Sequence, residues 1–383
     1  MPDRGLRHRQ PGRDEGDDGP RDRRQGDRRA DRQAQARQGR HHAAGTAQGP
    51  DHGARCTRSV SQAGRALSYV FEAGVLAPAK AFFLRAEILP LKDVDTEQSF
   101  RPDYLRLKAA GRPVVARIDG GAYDLGLVLL TKHKEENFAN IARGWTLLAP
   151  GGHLVCTGSN DDGAASLEKH VGKAFGLDDK LSKFHSRVFW LTKNDKAPPE
   201  YWQKLATLQP VGDGSFASQP GIFSWDHVDD GSALLARHLT DDLTGHVADF
   251  GCGWGYLGRE MLQRSAKIAH LDLIDAESRA IEVAQANITD PRASFHWLDL
   301  IAEKAPATYD AIVCNPPFHA GRAAEPALGQ SIIEAAARAL KPKGRFYVVA
   351  NRSLPYEPLL KTNFASFETL ADNNKFRVTR AIR

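Results

Sequence analysis

A glycine-rich turn between an apolar run and a helical pattern is the feature that most constrains how this chain folds. The segment 249–258 reads Asp-Phe-Gly-Cys-Gly-Trp-Gly-Tyr-Leu-Gly and continues the strand predicted over His246–Phe250. Gly251, Gly253 and Gly255 permit a tight turn and let a ligand approach the backbone, because glycine has no Cβ atom. The N-terminus of the next helix offers free N–H donors. The pattern also matches the dinucleotide-binding fingerprint, so the glycines alone leave the nucleotide ligand open.

Strands and helices alternate on both sides of this turn, which predicts an α/β fold. We expect a mostly parallel sheet with helices on both faces, ending in an antiparallel hairpin. Such sheets bind ligands at the carboxyl ends of their strands. The strands predicted after the turn are 268–274, 293–297, 309–314, 345–350, 367–370 and 376–382.

An earlier part of the chain repeats this organisation. The apolar segment 124–130, a helix, and Leu-Ala-Pro-Gly-Gly at 148–152 resemble 310–314, a helix, and Leu-Lys-Pro-Lys-Gly at 340–344. We therefore predict two tandem Rossmann-like domains that arose by duplication. The predicted boundaries are 67–197 for the first domain, 198–219 for a linker rich in proline and glycine, and 220–383 for the second domain.

Residues 1–66 differ in composition from the rest of the chain. They hold 15 arginines, no lysine and 9 acidic residues, with almost no large aliphatic residue. Such a segment cannot bury enough apolar surface to offset its chain entropy, so we predict a disordered Arg-rich tail. Two interpretations stay open, an arm that binds RNA and a passive or spurious extension. The other residues carry 37 basic and 38 acidic groups, so RNA binding there requires a local basic face.

Composition also excludes several classes of protein. No run of about 18 apolar residues is present, so we expect no membrane span, and we find no secretory signal pattern at the N-terminus. The four cysteines (Cys56, Cys156, Cys252 and Cys314) are scattered, which excludes a disulfide framework and a cysteine-rich zinc site. We therefore expect a cytoplasmic protein without a metal site.

Three aspartates follow three successive predicted strands of the second domain. Asp249 precedes the first glycine, where its carboxylate suits a cationic amino group and is unfavourable beside a pyrophosphate. Asp275 ends the next strand and can accept from both hydroxyls of a ribose, although a helix N-cap is its plain alternative. Asp299 ends the third strand and is placed to meet an adenine amino group, with an ordinary turn aspartate as the alternative.

The sequence Asn315-Pro316-Pro317-Phe318 ends the fourth predicted strand and is the most specific of these patterns. The two prolines remove two backbone donors and stiffen the turn. The side-chain carbonyl of Asn315 and the main-chain carbonyl of Pro316 can then converge on one amino group. Phe318 can stack on a planar base. The plain alternative is a rigid turn packed by a phenylalanine.

These motifs resemble those of a known enzyme family. The glycine turn, the acid in 273–276 and Asn-Pro-Pro-Phe resemble class I S-adenosylmethionine (SAM)-dependent methyltransferases acting on planar amino nitrogens. The segments 220–224 and 349–357 are similar to the ribosomal RNA guanine-N2 methyltransferases of the RsmC/RlmG type. Segments of the first domain, such as 148–166, resemble the N-terminal domain of that family, a degenerate methyltransferase copy that has lost cofactor binding and helps to hold RNA.

The resemblance implies a function and a set of site residues. We expect a monomeric enzyme that transfers a methyl group from SAM to the N2 amine of a guanine in ribosomal RNA. The favoured substrate is 16S RNA within a ribosomal subunit. The implied SAM contacts are Asp249, Gly251, Gly253 and Gly255 for the methionine part, Asp275 for the ribose, Asp299 for the adenine, and Phe223 and Ser224 at the cofactor entrance. The implied catalytic residues are Asn315 and Pro316 at the amine, with Pro317 in the turn and Phe318 on the ring.

Three alternative functions stay open. A 23S RNA guanine-N2 methyltransferase would carry the same motifs. An adenine-N6 or protein-glutamine methyltransferase also tolerates an Asn-Pro-Pro-aromatic turn, but phenylalanine at 318 and the duplicated domain argue against it. A non-catalytic RNA-binding assembly factor could keep the fold, but the intact acids and the intact Asn-Pro-Pro-Phe turn argue against that role.

Overall fold

The computed structural model of the protein describes residues 60–77, 79–317, 319–320, 323–324 and 326–383, and gives the backbone alone for the described residues within 319–326. All of these residues belong to one compact unit. The predicted tail up to residue 59, and Phe318, therefore lie outside the described residues.

Helix α1 (Gln62–Glu72) begins inside the segment predicted to be a disordered tail, so the boundary at residue 66 is placed too late. Ser61 caps the helix, because its hydroxyl accepts the backbone N–H of Gly64 at 2.9 Å. Ala63 and Ala66 are buried, and the carbonyl of Ala63 accepts from the Thr157 hydroxyl at 2.9 Å. The small residues of this segment resemble those of a disordered tail in composition, but here they let the helix pack closely on the residues around Thr157.

The first α/β half contains a seven-stranded sheet. Its elements after α1 are β1 (Ala81–Leu84), β2 (Val94–Glu97), α2 (Arg101–Ala109), β3 (Val114–Val115), β4 (Tyr123–Leu129), α3 (Lys134–Leu147), β5 (Leu148–Ser159), α4 (Ala164–Phe175), β6 (Asp179–Lys183) and β7 (Ser186–Thr192). The strand order is β3-β2-β1-β4-β5-β7-β6, and β7 runs antiparallel to the other six strands.

The segment predicted as a linker has structure of its own. It contains α5 (Glu200–Leu205) and an antiparallel pair of strands, β8 (Gln209–Val211) and β9 (Phe216–Ser218). Helix α5 packs on α3, since the rings of Phe138 and Trp202 stack with their centroids 4.4 Å apart. The division at 197 and 220 stays a prediction.

The second half repeats the strand order of the first. Its sheet has the strand order β12-β11-β10-β13-β16-β18-β17, and β18, the penultimate strand of that order, runs antiparallel to the other six. The predicted pair of tandem α/β units with a terminal hairpin is thus confirmed. The elements are α6 (Asp230–Arg237), β10 (Gly245–Phe250), α7 (Tyr256–Arg264), β11 (Ile268–Asp275), α8 (Ser278–Asn287), β12 (Ala293–Trp297), β13 (Tyr309–Cys314), β14 (His319–Ala320), β15 (Ala323–Ala324), α9 (Pro326–Ala339), β16 (Leu340–Asn351), α10 (Glu357–Asn363), β17 (Ser366–Asp372) and β18 (Phe376–Ile382).

The central strands of the second sheet are buried on both faces. Val247 packs with Met261 on one face, and its neighbour Ala248 packs with Ile333 on the other. A strand enclosed in this way is apolar along its whole length. For that reason the prediction for Tyr309–Cys314 matches the observed bounds. Among the described residues, no helix combines the length and the apolar character needed to cross a bilayer.

Candidate functional site

The glycine turn lies at the carboxyl end of β10, as predicted. Gly251, Gly253 and Gly255 have φ angles of +78°, +52° and +93°, a region that favours glycine. A Cβ atom added at Gly253 would meet nothing within 4 Å, so space is open in front of the backbone. Gly255 is also the N-cap of α7. The turn thus exposes backbone to a ligand at the start of a helix.

Asp249 is fully buried at the end of β10, and neither of its carboxylate oxygens has a hydrogen-bond partner among the described residues. Burial, and after it the negative charge of Asp275, raises the pKa of Asp249 to about 8. A buried carboxyl group without a donor is destabilising. A ligand amino group would supply the missing donor and charge, so the residue fits the predicted methionine contact.

Asp275 connects the glycine turn to the end of β11. Its carboxylate accepts the backbone N–H of Gly253 at 2.8 Å and that of Glu277 at 2.9 Å. Burial raises the pKa of Asp275 to about 6, although these two N–H groups oppose the shift. The N-cap position of α8 belongs to Glu277, so the N-cap alternative for Asp275 does not describe the structure.

Asp299 lies in the turn after β12 and is almost fully buried. Its carboxylate accepts the N–H of Ile301 at 3.0 Å, and its own N–H donates to Glu303 at 3.0 Å. Strands β10, β11 and β12 are neighbours and parallel. The three aspartates therefore line one edge of the sheet in the predicted order.

Asn315 follows β13, which lies on the other side of β10 from Asp275 and Asp299. Its amide nitrogen donates to the Asp229 carboxylate at 3.0 Å and to the Ser232 hydroxyl at 2.9 Å. A carboxylate only accepts, so it fixes the NH₂ end of the amide toward Asp229. The side-chain oxygen of Asn315 then faces away as an acceptor.

Asp229 and Ser232 also belong to the candidate site, although no sequence pattern assigns them a role there. Asp229 also caps α6 by accepting the N–H of Ser232 at 2.8 Å. An aspartate before an apolar helical pattern is a recognisable N-cap, but only the fold shows that the side chains of Asp229 and Ser232 reach Asn315, more than 80 residues away.

The proline corner and the glycine turn are adjacent. A Cβ atom added at Gly251 would lie 3.9 Å from the backbone oxygen of Asn315. Pro316 is buried and Pro317 is exposed. Phe318, predicted to stack on a base, lies outside the described residues.

One cavity brings several of the predicted residues together. Phe223, at its rim, is 58% exposed despite being a large apolar residue. The carbonyl of Ser224 accepts the indole N–H of Trp254 at 3.1 Å, which ties this segment to the glycine turn. The cavity is lined by Phe223, Ser224, Asp229, Gly251, Gly253 and Asn315, among others.

A separate polar cluster surrounds Asp272 on the strands themselves. The Nε2 atoms of His246, His270 and His296 lie 2.9, 3.1 and 2.9 Å from its carboxylate, and the Tyr309 hydroxyl donates to it at 2.9 Å. His246, His270 and Asp272 hold their ligand atoms within 4.8 Å of one another, a spacing that could hold a metal ion. Four contacts, however, already use the four acceptor positions of the carboxylate, so the cluster is complete without one.

The chain is similar to known methyltransferases. A family model described as the methyltransferase small domain matches residues 213–380. The ribosomal RNA small subunit methyltransferase C of Pseudomonas paraeruginosa is 34% identical over 272 residues, 69% of this chain and 80% of that protein. The protein of the same name from Idiomarina loihiensis is 31% identical over 284 residues, 72% of this chain and 84% of the relative.

A solved structure shares the two-part fold. It is described as the T. thermophilus 16S rRNA N2 G1207 methyltransferase (RsmC) in complex with AdoMet and guanosine. The TM-score is 0.69 at 24% sequence identity, over 86% of this chain and 94% of that chain. The match thus spans both sheets rather than one.

Proposed function

Because this chain belongs to the ribosomal RNA small subunit methyltransferase C family, we propose that it transfers a methyl group from SAM to the exocyclic N2 of a guanine in 16S ribosomal RNA. The names of the relatives support the small-subunit substrate over 23S RNA. The resemblance on which the sequence analysis rested is thereby confirmed at the level of the family. We further propose a cytoplasmic monomer that acts on a ribosomal subunit.

The residues at the sheet edge fit SAM. Asp249 lacks a donor, and the glycine turn leaves room at its backbone. Asp249 and the turn would hold the methionine part, Asp275 the ribose hydroxyls and Asp299 the adenine amino group, with Phe223 and Ser224 at the entrance. When bound, SAM supplies a methyl group activated by its sulfonium centre.

Asn315 and Pro316 would handle the guanine amine. The lone pair of this amine is delocalised into the ring, which makes it a poor nucleophile. Two acceptor oxygens on its N–H bonds favour a pyramidal nitrogen, and they stabilise the positive charge that grows on it in the transition state. Asp229 and Ser232 hold the Asn315 side chain in that orientation. Phe318 would stack on the base.

The target guanine must leave any base stack to reach this corner, at a cost of a few kcal/mol. Unpaired RNA, or RNA in an incompletely assembled subunit, is therefore the favoured substrate. The lysines of the first half, such as Lys169 and Lys173, are candidates for phosphate contacts.

The observation that carries the proposal is the fixed amide of Asn315 beside the glycine turn. The test is transfer of tritiated methyl groups from SAM by the purified chain onto ribosomal subunits from a strain lacking the enzyme. We expect label in guanine N2 of 16S RNA from small subunits. Label in 23S RNA, adenine or protein would contradict the substrate, and no label in any of them would support a non-catalytic assembly factor.

A further inference from the structure

The turn that carries Asp299 is held by a side chain from the first half. Arg101 donates two hydrogen bonds to the Glu303 carboxylate, at 2.9 and 2.7 Å. Glu303 in turn accepts the backbone N–H of Asp299 at 3.0 Å. This contact with Arg101 lowers the pKa of Glu303, so Glu303 stays charged at neutral pH. A chain of three residues thus links the first half to the proposed adenine contact.

The same segment of the first half pairs with the turn behind Asp275. The N–H of Arg101 donates to the carbonyl of Ala276 at 2.7 Å, and the N–H of Ser278 donates to the carbonyl of Ser99 at 2.9 Å. These bonds form an antiparallel bridge between Phe100 and Glu277. The turns after β11 and β12 are therefore both attached to residues 99–101.

Aromatic contacts fix Arg101 in place. The indole ring of Trp297, at the end of β12, lies 4.7 Å from the ring of Tyr104 and 4.8 Å from the Arg101 guanidinium, measured to ring centroids. The indole N–H of Trp297 donates to the Ala276 carbonyl at 2.9 Å. Arg101 is only 21% exposed, so this is a packed junction rather than a loose surface ion pair.

We propose that Arg101 is a positioning residue for SAM, acting through Glu303 on the backbone of Asp299, so that the first half completes the adenine end of the cofactor site. This inference rests on the proposed role of Asp299 at the adenine. Arginine suits the task because its planar fork binds a carboxylate through two parallel bonds.

The test is a double-mutant cycle on SAM binding by the full chain, measured by isothermal titration calorimetry. Arg101→Ala should weaken SAM binding about tenfold, as expected when a charge-assisted contact behind a site is lost. Asp299→Ala should weaken it at least as much. The double variant should bind no more weakly than Asp299→Ala alone, because Arg101 acts only through Asp299.

Two further variants guard the interpretation. Glu303→Gln keeps an amide oxygen near the Asp299 N–H and should weaken SAM binding by a smaller factor than Arg101→Ala. This variant provides the test if Arg101→Ala fails to fold. Arg380→Ala removes a comparable arginine–glutamate pair between β18 and β17 and should leave SAM binding unchanged.

The outcomes separate the hypotheses. The positioning role would be overturned if Arg101→Ala and Glu303→Gln bind SAM with wild-type affinity. It would also be overturned if the fold-losses in SAM affinity of the two single variants of the cycle simply multiply in the double variant. Wild-type affinity in Asp299→Ala would overturn it together with the adenine assignment. Coupling within the cycle, combined with no methylation of 16S RNA, would support the positioning role and contradict only the proposed substrate.

Discussion

The two halves share one strand order but differ at the carboxyl edge of the sheet. In the second half, the first strand of the unit ends at a glycine turn beside Asp249, whose oxygens lack hydrogen-bond partners in the part of the chain that the structure describes. In the first half, β1 is followed by Arg85, and the backbone of Ala86 both donates to the carbonyl of Glu97 at 2.9 Å and accepts from Gln98 at 2.8 Å. In the first half, groups of the chain itself occupy the positions at this sheet edge that the second half leaves open.

The acids at the ends of the second strands show the same contrast. Glu97, the last residue of β2, accepts two bonds from Arg143 at 2.8 and 2.7 Å, and a third from the Ile118 N–H at 2.7 Å. Asp275, the last residue of β11, accepts instead the backbone N–H groups of Gly253 and Glu277. The two copies thus differ at this edge in the partners of their acids and not in their strand order.

The largest effect should come from Asn315→Ala. Turnover should fall about 10²-fold or more, the scale of one lost oxyanion-type contact, while SAM affinity changes little because the residue lies on the amine side. Methyl transfer and calorimetric SAM binding measure the two quantities. Asn363→Ala, which removes an amide bonded to a helix carbonyl in α10, is the matched control. Near-normal turnover of Asn315→Ala would refute its role.

Replacing the acid at the end of the second strand of each half, β11 and β2, by its amide should sharpen the contrast between the two halves. Asp275→Asn should weaken SAM binding about 30-fold, since hydrogen bonds to charged groups contribute roughly 1.5–3 kcal/mol. Glu97→Gln should leave SAM affinity unchanged and lower the free energy of unfolding by about 2 kcal/mol, because it breaks a nearly buried ion pair with Arg143. Calorimetry and urea denaturation distinguish them, and a SAM effect of Glu97→Gln would contradict the idea that the first copy is closed.

The smallest effect concerns Asp249 and depends on pH. Its folded pKa of about 8 lies above the unfolded value, so its contribution to stability is full below about pH 4 and declines as the pH rises to about 8. Asp249→Asn should therefore stabilise the SAM-free protein more at pH 8 than at pH 5, because the amide carries no charge at either pH. Thermal unfolding at both pH values tests this, and a stabilisation that does not grow with pH would contradict it.

The central strands could be predicted from sequence because they are buried on both faces. The run at 309–314 therefore has the predicted bounds. The strand at 293–297 also has the predicted bounds, although it lies at the edge of the sheet and is only half-buried. Strands β2, β3 and β6 were not predicted, since each is short or largely polar and lies toward an edge of its sheet.

The candidate site could be predicted in part for a related reason. Strand ends are visible in the sequence, so Asp275, Asp299 and Asn315 could be assigned to one edge. The burial of Asp249 and the contacts of Asn315 with Asp229 and Ser232 depend on packing. The bond from Arg101 to Glu303 joins residues 202 positions apart, and no local pattern marks it.

Four alternating charges lie at the junction of the halves. Glu136 and Arg85 come from the first half, Glu277 and Arg279 from the second, and Arg279 donates to both carboxylates at 2.8 Å. Burial disfavours the charged form of Glu136, but the positive charges of Arg85 and Arg279 outweigh it and lower the pKa of Glu136 to about 2. A chimaera that grafts the second half of this chain onto the N-terminal half of a relative would bury unmatched charge unless both sides of the quartet are transplanted together. Each half therefore restricts which residues the other half can carry at this junction.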